Sequence, residues 1–302
     1  MTTLNKQEQK YTNQLIAAFK INYQQVQPYI RNVELLIEAN PKITQAEIKK
    51  SPEFKKLIKT TEKELNSFTE YAKTTLAIAI DAGALLALSA VKDIGLAPVA
   101  PSALDIVTRF LQPDTTLYER IGLWAGNARQ GVIDAIIEGV GLGNNPRKIA
   151  ASIVKAYGVE LTDALRASRT VQLWAYREST RLNYIANGVK YWIWYASLDE
   201  KTCASCMVMH GTKHPVTETM DDHYNGRCAM LPEGAEAVIT QTGEQYFNSL
   251  SSELQDKYFG KAKAAAIRDG KIEFAKLSKQ VADPVYGHMR VEASLKDLIN
   301  GQ

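Results

Sequence analysis

Residues 203–228 read Cys203-Ala-Ser-Cys206-Met-Val-Met-His210-Gly211-Thr-Lys-His214-Pro-Val-Thr-Glu-Thr-Met-Asp221-Asp222-His223-Tyr-Asn-Gly-Arg227-Cys228. This stretch holds all three cysteines of a 302-residue chain. Two thiols separated by two residues sit on one tight turn and can aim at a single ion. His223 and Cys228 return from a loop of suitable length to complete a tetrahedron. Soft and borderline ligands of this kind satisfy Zn²⁺ in a closed structural site. The expected ligand set is Cys203, Cys206, His223 and Cys228, with structural Zn²⁺ as the cofactor. His210 lies close enough to Cys206 to compete with His223, and His214 is a weaker candidate.

Other readings of the cysteines carry less. Free cysteines also serve as small buried hydrophobes. A redox Cys-x-x-Cys expects a βαβ setting, and none surrounds Cys203. A disulfide framework is disfavoured by the odd count and by the start Met1-Thr-Thr-Leu-Asn-Lys-Gln-Glu, which lacks the basic-then-apolar pattern of a secretory signal. Synthesis in a reducing cytoplasm is the expectation.

Immediately upstream, Val189-Lys-Tyr-Trp192-Ile-Trp194-Tyr-Ala-Ser-Leu-Asp199 is dense in aromatic and β-branched residues, which suits a strand packed on both faces. Short strands are expected at 212–216 and 227–231. The aromatic run would stack on the metal loop and give a small β unit a core.

Away from this region the periodicity is helical. Leu15, Ala18, Phe19, Tyr23 and Val26 recur at helical spacing, Pro28 is expected to interrupt the run, and Ile30, Val33, Leu36 and Ile37 resume it. Thr44-Gln-Ala-Glu47 is a capping box, and Ser51-Pro52 a hydroxyl cap before a first-turn proline. Gln112-Pro113-Asp114 is a break. From Leu117 to Asn187 the pattern is again helical, with Asn145 as a cap and Pro146 inside the helix it starts. Gly139, Gly141 and Gly143 resemble a phosphate loop only superficially, since no strand precedes them and no Gly-Lys-Ser/Thr follows. Arg166, Arg169, Arg177 and Arg181 read as a solvated or salt-bridged helix face. Beyond Pro232 short helices are expected, at 251–260, at 262–269 and at 291–299.

The expected fold is therefore mainly α with a small zinc-stabilised α+β unit. Residues 1–112 form an N-terminal helical region for docking, 113–235 a central domain with the zinc knuckle at 199–232, and 236–302 a C-terminal helical tail. Hydrophobic content of 45% and charged content of 23% are ordinary for a globular protein. A net charge of +3 gives no large basic field, so tight autonomous binding to duplex DNA is not expected. Residues 72–91 approach the length of a spanning helix, but Asp81 lies mid-segment and the stretch is rich in Ala. A buried helix is expected there rather than a membrane span.

The combination Trp194-x-x-x-x-Asp199-x-x-Thr-Cys203-x-x-Cys206-x-x-x-x-Gly211, followed by His223-x-x-x-Arg227-Cys228-x-x-x-Pro232, resembles the phage head morphogenesis proteins, the Mu F-like minor head proteins of tailed phages. The likeness is strongest over 117–232. Members of that family often carry a Cys where this chain has Gly226, and an acidic residue where it has Val171. The resemblance implies a minor head protein associated with the portal vertex, acting in head assembly or in DNA packaging and ejection. Its partners would be the portal protein and other capsid proteins, with weak contact to packaged DNA and oligomerisation through the virion. Its location would be the virion head, in the capsid interior or at the portal vertex, after synthesis in the host cytoplasm.

No enzymatic activity is expected. A zinc deaminase needs His-x-Glu, a zinc protease needs His-Glu-x-x-His, and both are absent. The alternative readings are a metal-dependent nuclease using Asp221 and Asp222, or a nucleic-acid-binding zinc module.

Overall fold

Apolar residues at helical spacing generate most of this molecule, and the computed structural model describes residues 2–99, 116–199, 201–284 and 286–300. The break expected at Gln112-Pro113-Asp114 lies outside the described residues. The protein is mainly helical with a few short strands. Its chain divides into two compact units, Met1–Ala82 with Arg109–Gln172 and Gly83–Thr108 with Leu173–Gln302.

The first unit is helical. Its first helix, α1 (Thr2–Ala39), is continuous through Pro28, contrary to the interruption expected there. Leu15, Phe19, Val26, Ile30 and Val33 are all buried along one face, and packing on both sides of Pro28 outweighs the one lost backbone bond. The next helix, α2 (Gln45–Lys50), starts at the expected capping box, with Thr44 accepting from the Glu47 backbone and Glu47 reaching back to Thr44. Ser51 then accepts from the Phe54 amide at 3.2 Å to start α3 (Pro52–Asp93). Phe19 meets Phe68 of α3 edge-to-face at 5.3 Å, and Tyr157 at 5.2 Å.

Two further helices, α4 (Thr116–Gly141) and α5 (Pro146–Tyr157), pack on each other in the same unit. Asn145 caps α5 through the Lys148 amide with Pro146 in the first turn, as expected. A Cβ on Gly139 would collide with Ile149, so this glycine permits close helix packing. In the 72–91 segment of α3, Leu76, Ala79 and Ile80 are buried while Ile78 and Leu85 are exposed. The helix is long and apolar enough to cross a membrane, and 44% of its most apolar window is buried.

The second unit holds the β structure. After α6 (Val159–Ala186), the strands β1 (Tyr191–Tyr195), β2 (Lys213–Pro215) and β3 (Ala229–Pro232) form an antiparallel sheet in the order β2-β1-β3. Trp192 lies opposite His214 on one side and Pro232 on the other. Trp192, Ile193 and Trp194 are 1%, 3% and 0% exposed, so both faces of β1 are covered, as the aromatic run implied. Between β1 and β2 runs α7 (Ala204–Met209), all six of whose residues are buried.

Three short helices follow, α8 (Gly243–Ser249), α9 (Ser252–Phe259) and α10 (Lys261–Arg268). Their core is a triangle of rings, with Phe247 5.4 Å from Phe259 and 5.5 Å from Phe274. Ser251 and Gly260 bound α9 as their residue types required. The wholly helical tail expected for 236–302 is corrected here. An antiparallel hairpin of β4 (Ser278–Asp283) and β5 (Gly287–Glu292) precedes the last helix, α11 (Leu295–Asn300). Val291, expected to open that helix, pairs instead with Lys279.

Candidate metal centre

The site is assembled by local capping. Asp199 accepts from the Lys201 amide at 2.9 Å and from the Thr202 hydroxyl at 3.2 Å, closing a turn that delivers Cys203 to the N-cap of α7. There the Cys203 sulfur accepts the Cys206 amide at 3.3 Å, the role an Asp or Ser oxygen fills in ordinary caps. One turn of helix thus places both sulfurs on the same side.

His223 approaches them from the second loop. Its Nε2 lies 3.1 Å from the Cys203 sulfur and 3.3 Å from the Cys206 sulfur. Its Nδ1 faces the Tyr224 carbonyl at 2.7 Å, so Nδ1–H donates there and Nε2 is turned toward the thiols. The donor atoms of Cys203, Cys206 and His223 all lie within 4.8 Å of one another. Cys228 enters a second triplet of the same tightness, with Cys206 and Asp222. The four expected ligands therefore fall in two overlapping groups that share Cys206.

Bonds of about 2.3 Å to sulfur and about 2.0–2.1 Å to nitrogen put neighbouring donors on a tetrahedron about 3.5–3.8 Å apart. The observed Nε2-to-sulfur separations are a few tenths of an ångström shorter. The donor set fits a thiophilic cation. The hydrogen bond from Cys206, and then that of His223, hold the Cys203 thiol down at about 5. The same partnership with Cys203, then Cys228 and burial, push Cys206 up. His223 is raised to about 9, first by its bond to Cys203.

The competing histidines have other partners. His210 is buried, and its Nδ1 accepts from the Ala196 amide at 2.9 Å. Burial lowers its pKa, against a bond to the Gln241 backbone. His214 stacks on Trp192 at 4.3 Å and bonds Thr212 at 2.8 Å.

Arg177 supports the loop and was not legible as doing so. Expected on a solvated or salt-bridged face, it is 7% exposed and projects from α6 into the metal loop. It donates to the Cys228 carbonyl at 2.8 Å and 2.9 Å, to the Gly226 carbonyl at 3.0 Å, and to Asp222 at 2.6 Å. Asp222 in turn accepts from the His223 amide at 2.9 Å and the Cys228 amide at 3.3 Å. One carboxylate and one guanidinium thus fix the residues that carry two candidate ligands. A Cβ on Gly226 would fall inside the Asp222 carboxylate, which accounts for the glycine there.

Asp221 faces the C-terminal hairpin. It accepts from Gln280 at 2.8 Å and from the Arg290 side chain at 3.3 Å, while its carbonyl accepts the Arg290 amide at 2.6 Å. Tyr224 donates to Asp283 and meets Tyr286 edge-on at 5.1 Å. The hairpin therefore clamps the loop on both sides of His223.

Fold and site together define a helical protein carrying a small β unit with a cysteine–histidine cluster fit for a cation. Residues 130–231, about a third of the chain, match the family model described as Phage Mu protein F like protein. The matched segment contains Arg177 and all four candidate ligands, and ends before the hairpin. No curated protein and no solved structure matches the chain.

Proposed function

We propose that this protein is a non-enzymatic minor head protein of a tailed phage, associated with the portal vertex. In this reading it acts in head assembly and in DNA packaging or ejection, and the cluster is a folding staple. Cys203, Cys206, His223 and Cys228 would hold Zn²⁺, which supplies charge neutralisation and cross-linking of two distant backbone segments. The observation that carries the staple is the convergence of Cys203, Cys206 and His223 on one point, with Nε2 of His223 turned toward both sulfurs. Structural zinc in small domains is worth about 10–16 kcal/mol of apparent binding free energy, enough to dominate the stability of a three-stranded sheet.

The nuclease reading is less well supported. Asp222 is engaged by Arg177 and two backbone amides, and Asp221 by Gln280 and Arg290. Both carboxylates are thus already held by protein donors. The Mu F-like match supports the head assignment, and in this reading the portal protein and other capsid proteins are its partners, with weak contact to packaged DNA.

Metal content of the purified chain tests the staple. About one equivalent of zinc is expected in the wild type and in His210→Ala, and well under one in Cys203→Ala and His223→Ala. Full retention by His223→Ala would remove it from the ligand set. Co-expression with the portal protein should give a complex that survives gel filtration. Separate elution of the two would refute the portal assignment.

A further inference from the structure

The first unit carries a dense run of positive charge along one stretch of its sequence. Between Lys42 and Lys63 there are seven lysines against three glutamates, a local excess of four, while the whole chain carries +3. Four of these lysines, Lys55, Lys56, Lys59 and Lys63, belong to α3, and all four are exposed. At 3.6 residues per turn they fall on an arc about 100° wide and about 12 Å long. The opposite side of the same turns carries Phe54, Leu57, Ile58 and Leu65, all buried, so the lysine face is the solvent face.

Little on that face compensates the charge. Glu53 and Glu62 project outside the arc, and Glu62 is engaged by Arg129 at 3.5 Å. Of the four lysines, Lys63 has a carboxylate within salt-bridge distance, Glu64 at 3.2 Å. Lys49 and Lys50, exposed in the last turn of α2, extend the charge beyond Ser51. Exposed Asn66 and Ser67 continue the arc, and the Glu70–Lys73 pair at 2.7 Å closes it.

We propose that this lysine face of α3 docks on the phosphate backbone of duplex nucleic acid. A duplex carries one negative charge per about 1.7 Å of axis, so a 12 Å run of cations spans on the order of seven phosphates. Lysine binds phosphate as a point charge, and the stretch contains no arginine to fork onto a base edge. Binding is therefore sequence-independent and weak, in the range of about 10⁻⁴–10⁻⁶ M at physiological salt. The proposal gives the weak DNA contact of the functional reading a definite surface. It rests on charge geometry alone, and its failure would leave the metal and capsid readings standing.

The test is fluorescence anisotropy of the full chain with a labelled 30-base-pair duplex of mixed sequence, over a salt series. The wild type should bind, with log affinity falling against log salt at a slope of about −4. The quadruple variant K55Q/K56Q/K59Q/K63Q should lose about tenfold or more at low salt and show a shallower slope, with unchanged circular dichroism. The matching four-arginine variant should retain binding. K257Q/K261Q/K271Q/K276Q, which removes the same charge from the basic stretch 257–279, where Lys271 and Lys276 are paired with carboxylates, should stay within about twofold of wild type. Equal losses in the two glutamine variants would overturn the proposal, as would absence of wild-type binding at low salt. Displacement of the duplex by polyglutamate at matched charge would assign the face to an acidic protein instead.

Discussion

Arg177 and Asp222 meet at 2.6 Å in a pair whose side chains are 8% and 0% exposed. They are 45 residues apart in sequence, one on a long helix and the other beside a candidate ligand. Because Asp222 also accepts the amides of His223 and Cys228, the pair sets where both of those residues can stand.

Replacing Arg177 with Ala should lower metal affinity by about 10–100-fold without touching a ligand. It should also cost about 3–5 kcal/mol of stability in the metal-free protein, because a buried carboxylate is left alone. Arg177→Lys should recover only part, since one ammonium cannot span three acceptors. Competition against a chromophoric chelator reads the first effect and urea denaturation the second. Wild-type affinity in Arg177→Ala would show that the loop holds its shape unaided.

Gly226→Ala should destabilise the second unit by about 1–3 kcal/mol, because a methyl group there displaces the Asp222 carboxylate. Gly126→Ala, where the backbone is ordinary and a Cβ would meet open space, is the control for a glycine replaced without a clash. Thermal melting of both variants should show the larger drop for Gly226→Ala. Equal drops would mean that the clash with the carboxylate does not explain the residue.

Asp221→Ala should weaken metal binding by about tenfold, through lost contact with Gln280 and Arg290. Truncation before β4 should do at least as much. Isothermal titration with Zn²⁺ measures both, and unchanged affinity in the truncated chain would show that the site does not need the hairpin.

Glu160 is 1% exposed, accepts from Thr69, and burial raises its pKa to about 8. Below pH ~4.5 it is protonated both folded and unfolded, and its contribution is intact. Between that pH and about 8 the unfolded chain releases a proton that the folded chain keeps. Stability of the first unit should therefore fall with rising pH, by up to about 1.4 kcal/mol per unit. Glu160→Gln should flatten this dependence. Hydrogen exchange of α1 and α5 peptides between pH 5 and 8, corrected for intrinsic rates, reads it. A persistent slope in the variant would assign the effect elsewhere.

Signals within a few residues of each other were legible in the sequence. Thr44 with Glu47, Asn145 with Pro146 and Ser251 with Gly260 are caps that need only their own turn to form. The strand at Tyr191–Tyr195 was equally clear, because no helix arrangement exposes so few of its aromatic residues. Pro28 misled because its local penalty is set against packing along the whole of α1. The hairpin at Ser278–Glu292 was missed because its alternation is weak, with charged Lys279 and Asp283 on the same face as Val281, and its stability depends on contacts such as Asp221. Arg177 stayed hidden for a related reason. On a helix wheel it is one arginine among four, and only the returning loop distinguishes it.

Five of the six residues of α7 divide between two hydrophobic clusters. Cys206 and Met209 join Trp192, Trp194 and Met230, while Ala204, Met207 and Val208 join Phe247, Phe259 and Phe274. A single turn of helix is thus common property of the sheet and the C-terminal helices. Disrupting the proposed metal site should loosen both together, so that the Phe triangle melts in one cooperative transition with the sheet cluster.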